Sequence, residues 1–155
     1  MKEIRFRAWD TVTGTWFVPV YEAYKGNLWD ISISLHGQII ERTMEDPASM
    51  MQSGRWVLQQ FTGLKDKNGE GRDVFEGDIF EAIFKDCPDG YRIMGRETEV
   101  IKVPATVVFK FGKFMVELMH PKEKELIYSD LFAFLKNEEK VVVGNIHENP
   151  ELLAP

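Results

Sequence analysis

The feature that most constrains the fold of this chain is a central stretch of apolar runs and glycine-containing turns, from Trp56 to Ile79. Residues Arg55–Phe61 have the composition of a β-strand, and a polar loop that turns on glycines follows them. A second strand is entered through Glu76-Gly77-Asp78, where a glycine within a strand pattern indicates a bulge or a tight bend. The stretch therefore predicts two strands joined by an ordered turn.

The segments on both sides of this stretch repeat short alternating runs that are separated by turns. In Leu28–Leu35 apolar residues alternate with Asp and Ser, so one face would pack on a core and the other would meet solvent. Gly14, His36-Gly37 and Gly112 supply turn chemistry for hairpins. We predict roughly eight to ten strands in a mainly β, β-dominated α+β fold, with antiparallel hairpins that form a sheet or a small barrel.

Two short helices and a buried last strand complete this prediction. Asp46-Pro47 has the form of an N-cap followed by proline at the first helical position, which predicts a helix that ends near Gly54 or, alternatively, an ordered loop. A second helix is predicted after Ser129 or Asp130. The uninterrupted valines of Lys140–Ile146 predict a strand that is buried on both faces.

The length of 155 residues suits one domain or two small lobes. We predict a single domain over residues 1–155, with the alternative of two lobes, namely N-terminal hairpins in 1–60 and a C-terminal barrel-like lobe in 61–155. A chain of this length buries about 68–70% of its unfolded surface, so its core requires no disulfide or metal. Residues 86–96 are predicted to form a long exposed loop, because they are rich in Asp, Pro and Gly.

Charge and cysteine content narrow the class of protein. The formal net charge of −6 lowers the expectation of nucleic-acid binding, because the chain has few surplus cations with which to displace counterions. The single cysteine, Cys87, suits a reducing compartment. No apolar run approaches the ~20 residues of a membrane span. We therefore expect a cytoplasmic protein that makes no membrane contact.

The residue types that carry most enzymatic chemistry are scattered. The three histidines are His36, His120 and His147. None of them has the spacing of a metal site, and we predict neither a metal nor a cofactor. Cys87 lies between Asp86 and Asp89, whose carboxylates oppose the thiolate form that a nucleophile needs.

Glu76 and Asp78 form a carboxylate pair that would share a strand face, since residues two apart project to the same side. A metal-dependent enzyme that uses this pair is one alternative, because paired carboxylates bind Mg²⁺. The favoured interpretation is a charged strand entry in which Asp78 fixes the turn. The glycines from Gly63 to Gly71 lack the Gly-Lys-Ser/Thr ending of a phosphate-binding loop.

Five residues form a candidate binding surface: Arg5, Arg7, Trp9, Lys65 and Lys67. Arginines beside an aromatic ring contact phosphate and stack on bases, so a nucleic-acid-binding protein that uses Arg5, Arg7 and Trp9 is the other alternative. The same residue types also form ordinary solvated strand faces. No residue is predicted to be catalytic.

Three segments of the chain together resemble the YopX family of phage and prophage proteins. They are Ile4–Asp10 (IRFRAWD), Gln60–Gly69 (QFTGLKDKNG) with Val74–Ile79 (VFEGDI), and Val143–Leu152 (VGNIHENPEL). The resemblance implies a small β-rich protein encoded by a phage or prophage, with no assigned activity and no catalytic residues to carry over. Self-association is plausible for this kind of protein.

Taken with the residues themselves, the resemblance predicts a non-enzymatic phage or prophage accessory protein. Its expected partner is another protein or a second copy of itself, since exposed aromatic residues and hairpin edges suit such contacts. The expected location is the cytoplasm of the bacterial host cell.

Overall fold

The computed structural model describes residues 3–22, 25–45, 49–50, 54–86, 99–136 and 140–154. The chain divides into two compact units. Unit 1 consists of Met1–Phe6 and Gln59–Pro155, and unit 2 consists of Arg7–Leu58. Each unit is built from antiparallel strands, and none of the described helices is both long and apolar enough to cross a membrane.

Unit 2 contains a hairpin and a four-stranded sheet. The hairpin pairs β1 (Phe6–Asp10, whose first residue belongs to unit 1) with β2 (Thr15–Trp16) and places Trp9 opposite Trp16. The sheet has the order of the sequence, β3 (Val20–Glu22), β4 (Asn27–Ile33), β5 (Ile39–Thr43) and β6 (Ser49–Met50). Inside unit 2, the rings of Phe17, Trp29 and Trp56 contact one another, with ring centroids 4.9 to 5.9 Å apart.

Unit 1 contains a two-stranded pair and a five-stranded antiparallel sheet. β7 (Trp56–Lys65, which enters from unit 2) pairs with β8 (Asp73–Phe75). The sheet is formed by β9 (Asp78–Asp86), β10 (Glu99–Lys110), β11 (Lys113–Met119), β12 (Leu126–Asp130) and β13 (Val142–Asn145). Its order is β12-β11-β10-β9-β13, so β12 and β13 are its two edges.

The core of unit 1 lies between this sheet and one short helix, α1 (Leu131–Lys136). Val107 and Val116 are cross-strand partners with no exposed surface. Leu131 of α1 is buried in the same core. Two single turns of 3-10 helix, Lys67–Gly69 and Pro150–Leu153, precede β8 and follow β13.

The predicted mainly β, antiparallel fold is confirmed, and so is the helix after Asp130. Oδ1 of Asp130 accepts a hydrogen bond from the backbone N–H of Ala133 at 3.1 Å, which is the N-cap contact that the sequence suggested. The hairpin at Gly112 is also confirmed, since Lys110 and Lys113 are paired across it.

The predicted helix at Asp46–Gly54 is wrong where it can be compared with the structure. Ser49 and Met50 form β6, and Met50 pairs with Ile40 of β5. Residues 46–48 and 51–53 lie outside the described residues, as do residues 87–98, which contain most of the predicted long loop. The N-cap pattern did not lead to a helix at Ser49 and Met50, because these residues pair with β5. Strand formation depends on such neighbours, which a local sequence pattern does not contain.

The prediction that the last strand is buried on both faces is also wrong. Val142 is buried, whereas Val141 and Val143 are 42% and 53% exposed. The physical reason is that this antiparallel sheet packs a core on one face and meets solvent on the other, so side chains alternate along β13 as they do along β9, where Ala82 is buried and Ile83 is exposed.

Candidate functional site

The central and C-terminal motifs meet in unit 1 in a buried polar cluster of Gln59, Asp78 and Asn145. Nδ2 of Asn145 donates hydrogen bonds to Oε1 of Gln59 at 3.0 Å and to Oδ1 of Asp78 at 3.1 Å. Oδ1 of Asn145 accepts a bond from the backbone N–H of His147 at 3.0 Å. The cluster joins β7, β9 and β13 through groups that are almost fully buried.

Gly77 lies against this cluster and explains why the motif needs a glycine. Its φ is +79°, a conformation that side chains rarely adopt, and a Cβ atom there would lie 2.2 Å from Nε2 of Gln59. The other carboxylate oxygen of Asp78, Oδ2, accepts a bond from the backbone N–H of Phe75 at 2.8 Å. Both oxygens of Asp78 therefore hold protein groups, which favours the turn-fixing role over a metal site shared with Glu76.

The loop of the central motif is fixed by a second buried carboxylate, Asp66. Its Oδ1 accepts a hydrogen bond from the N–H of Arg72 at 2.7 Å, and its Oδ2 accepts one from the N–H of Val142 at 3.0 Å. A Cβ atom at Gly71 would lie 1.7 Å from Oδ1 of Asp66. The loop therefore attaches to the last strand, and its glycine is a steric requirement.

No group of three or more His, Cys, Asp or Glu side chains that could hold a metal ion occurs in the described ranges. Of the three histidines, His120 accepts a bond from the backbone N–H of Glu123 through Nδ1 at 3.0 Å, and its ring contacts Phe84. Cys87 lies outside the described residues.

The predicted binding surface is divided between the two units. Arg7 and Trp9 belong to unit 2, where both contact the ring of Trp16. The guanidinium carbon of Arg7 lies 4.2 Å from the Trp16 ring centroid, and the Trp9 ring meets it edge-on at 5.0 Å. These residues form a stack of one cation and two indoles.

Arg5 and Lys65 belong to unit 1, where both approach Asp73. Nη2 of Arg5 lies 2.8 Å from Oδ2 of Asp73, and Nε of Arg5 lies 2.8 Å from Oε1 of Glu3. Nζ of Lys65 lies 3.9 Å from Oδ1 of Asp73. The Arg5 guanidinium also stacks on Phe61, at 4.0 Å from its centroid. Arg5 is thus fixed between a ring and two carboxylates.

Arg5 and Lys65 line an open cleft of about 910 Å³ in unit 1. The remaining lining residues are Glu3, Phe61, Gly63, Leu64, Gly69, Asp73, Phe132, Leu135 and Lys136. The fifth predicted surface residue, Lys67, lies in the Asp66 loop, where its N–H donates to the carbonyl of Lys140. The sequence prediction included two of the three cations of the cleft, Arg5 and Lys65, and missed the wall that α1 contributes.

That wall consists of Phe132, Leu135 and Lys136. Phe132 is 55% exposed, and Nζ of Lys136 lies 5.1 Å from its ring centroid. One signal in the sequence could have indicated it. Phe132 and Lys136 are four positions apart, a spacing that places two side chains on one face of a helix.

Comparison with known families decides the classification. The model of the YopX protein family matches residues 5–154. The chain belongs to the YopX family. No curated protein and no solved structure matches it. The matched range of this YopX-family chain includes the Asn145 cluster, the Asp66 loop and, apart from Glu3, the lining of the cleft.

Proposed function

We propose that this YopX-family protein is a non-enzymatic interaction module, and that the cleft of unit 1 receives an apolar segment of a partner protein. The observation that carries the proposal is the cleft itself. Its volume of about 910 Å³ lies within the range of pockets that bind ligands, roughly 300–1,000 Å³. It combines an apolar lining with a few charged groups, which is the composition of a binding site.

The apolar part of the cleft is formed by side chains of two elements. β7 contributes Phe61 and Leu64, and α1 contributes Phe132 and Leu135. Phe132 keeps more than half of its surface in water, although a buried Phe side chain contributes roughly 1.5–3 kcal/mol. A partner that covered Phe132 would recover that contribution.

The charged part of the cleft predicts what the segment carries beside its apolar residues. Arg5 forms ion pairs with Glu3 and Asp73 and so shapes the rim of the cleft. Lys136 sits beside Phe132, and no ion pair of Lys136 is found with a described residue. A carboxylate next to the apolar side chain of the partner would meet this ammonium group. An acidic and apolar peptide segment is the best match.

The non-enzymatic part of the proposal is supported by how the polar motif residues are used. The carboxylates of Asp66 and Asp78 and the amide of Asn145 hold backbone groups and turns. Buried polar groups that are satisfied in this way specify a fold. The phage or prophage origin and the host cytoplasm remain expectations from the family resemblance.

The nucleic-acid alternative receives less support from the same geometry. Two of its predicted cations, Arg5 and Lys65, approach carboxylates of their own chain, which lowers the charge that they can offer to phosphate. The stack of Arg7 on Trp16 is the remaining feature that suits a base. Retention of a labelled single-stranded oligonucleotide at low salt would favour this alternative, and Arg7→Ala should then abolish it.

Affinity capture from the host bacterium tests the cleft. The tagged protein is compared with Phe132→Asp, which places a charge on the α1 wall, and with Val100→Asp, a matched control at 53% exposure on β10. The captured partner should be lost with Phe132→Asp and retained with Val100→Asp. Binding of the purified partner should weaken at least tenfold with the first variant. Equal capture by both variants would refute a role for the cleft.

A further inference from the structure

The two edge strands of the five-stranded sheet in unit 1 differ in how other parts of the chain cover them. At β13, the N–H of Val142 donates to Asp66 and the N–H of Asn145 donates to Oδ1 of Asn149 at 3.3 Å. The side chain of Leu152 closes on Gly144 from the same C-terminal tail, with Cδ1 2.7 Å from the position of a Cβ atom. This edge is capped by a loop and by the tail. At the opposite edge, β12 pairs with β11 and with no other described strand.

The geometry of the β10–β11 hairpin fixes which backbone groups of β12 point outward. Phe111 and Gly112 have φ values of +54° and +74°, and Lys110 pairs with Lys113. This is a two-residue turn with both central residues left-handed, and the flanking pair in such a turn exchanges both hydrogen bonds. The direction of the backbone N–H and C=O groups alternates from one residue to the next along an antiparallel strand. Those of Lys113 point toward β10, so those of the even-numbered residues of β11 point toward β12.

An observed hydrogen bond beyond the end of β11 agrees with this alternation, since the N–H of His120 donates to the carbonyl of Glu125 at 2.8 Å. The partners of Val116 and Leu118 are Ser129 and Ile127, whose backbone groups therefore face β11. It follows that Leu126 and Tyr128 direct their N–H and C=O groups away from the sheet. These are the groups that an added strand would pair with.

β12 lacks the proline, the lysine and the bulge with which proteins often protect an edge strand. Its sequence, Leu126-Ile-Tyr-Ser-Asp130, contains no Pro or Lys, and its register with β11 has no bulge. Exposed apolar side chains also lie beside β12, on β11 and on the turn between β10 and β11. Met119 is the cross-strand partner of Leu126, and Phe111, 78% exposed, meets the ring of Tyr128 edge-on.

The two lysines beside this edge permit a second copy of the same chain as the occupant. Nζ of Lys110 lies 2.8 Å from Oε2 of Glu117, and Nζ of Lys113 lies 3.0 Å from Oδ2 of Asp130. A two-fold symmetric contact places identical patches against each other, so unpaired like charges would oppose it. Because each of these lysines is paired within its own chain, neither opposes such a contact.

We propose that β12 of one copy adds antiparallel to β12 of a second copy, so that the two sheets continue through a two-fold axis. The contact joins the outward backbone groups of Leu126 and Tyr128, and it covers Phe111 and Met119 beside them. This interface does not involve the cleft of unit 1, so either proposal can fail while the other stands.

Molar mass in solution, measured by light scattering and by sedimentation over a wide concentration range, tests the interface. The full chain should have the mass of two copies, and Leu126→Lys should halve it, because a lysine on an edge strand opposes strand addition. Val143→Lys is the matched control, since Val143 and Leu126 are 53% and 52% exposed on opposite edges of one sheet. It should retain the mass of two copies.

Amide hydrogen exchange of the unaltered chain gives a second test that does not depend on any variant folding. In the assembly, the amide of Tyr128 should exchange as slowly as those of Ile127 and Ser129. In a single copy, it should exchange rapidly between two protected neighbours. A monomeric chain at all concentrations, an assembly that Leu126→Lys leaves intact, or a fast Tyr128 amide would each overturn the proposal.

Discussion

Nδ2 of Asn145 donates a 3.1 Å hydrogen bond to Oδ1 of Asp78, a residue 67 positions earlier in the chain, and neither side chain is exposed to solvent. The bond links the start of β9 to the end of β13. Asp78 also holds the N–H of Phe75, so the bend before β9 and the last strand share one polar centre. The stability of unit 1 should therefore depend on that centre.

Replacing Asn145 with Leu keeps the approximate size of the side chain and removes every hydrogen bond that it makes. Oδ1 of Asp78 and Oε1 of Gln59 would lose a donor, and the N–H of His147 would lose its acceptor. Buried groups left without partners cost about 1–3 kcal/mol each, so we expect the free energy of unfolding to fall by about 3 kcal/mol. Urea denaturation at neutral pH measures this loss.

Asn27→Leu is the control for that measurement, because Asn27 is an exposed residue at the start of β4. Its free energy of unfolding should stay within about 0.5 kcal/mol of the original value. A similar, small change in both variants would show that the cluster does not stabilise unit 1.

Gly71→Ala tests the loop around Asp66. The added Cβ atom would lie 1.7 Å from Oδ1 and 2.9 Å from Cγ of Asp66. The carboxylate cannot move away without breaking its bonds to Arg72 and Val142. We expect a loss of about 2–3 kcal/mol in the free energy of unfolding, which is the usual range for overpacking. Thermal and urea unfolding measure it.

Gly54→Ala gives the comparison for that substitution, since Gly54 has open space around a Cβ atom and no left-handed φ. An unchanged or slightly raised stability is expected there. Were Gly71→Ala as stable as Gly54→Ala, the Asp66 loop would have to rearrange freely, contrary to the two hydrogen bonds that fix it.

The sequence was sufficient for the antiparallel strands, because alternation and turn residues are local signals. It did not connect Asn145 with Asp78, since a hydrogen bond over 67 residues depends on strand order, which no local pattern contains. The error at β13 has the same origin, because which face of a strand meets solvent is a property of the whole sheet.

Only part of the cleft lining could be predicted from the sequence, for a related reason. Arg5 and Lys65 stood out as cations near aromatic or polar neighbours, whereas Phe132 matched the apolar content of an ordinary core helix. Only the packing of α1 shows that Leu131 and Leu135 enter the interior while Phe132 faces the cleft. Arg7 and Trp9 were also predicted from the sequence. A nucleic-acid role for their stack is tested by the oligonucleotide retention and the Arg7→Ala variant described above.

The last prediction concerns the pH dependence of unit 2, where Asp10 and Arg55 form a two-point ion pair. Nε of Arg55 donates to Oδ1 of Asp10 at 3.0 Å, and Nη2 donates to Oδ2 at 2.7 Å. The N–H of Val12 donates to Oδ1 at 2.9 Å. These bonds, that of Arg55 above all, hold the pKa of the Asp10 carboxyl well below its usual range, although burial opposes the shift.

Because the folded pKa of Asp10 is depressed from its ordinary value of 3.8, its carboxylate stabilises the fold at any pH above that value. That contribution is lost as the pH falls below about 4 toward the folded pKa. Asp10→Asn should therefore lower the free energy of unfolding most at neutral pH, and the difference from the original chain should shrink at a pH of about 3. Urea denaturation at both pH values measures it.

Glu22→Gln, which removes an exposed ion pair with Lys25, should change stability by no more than about 1 kcal/mol at either pH. A difference for Asp10→Asn that is the same at both pH values would contradict a depressed pKa in the folded protein.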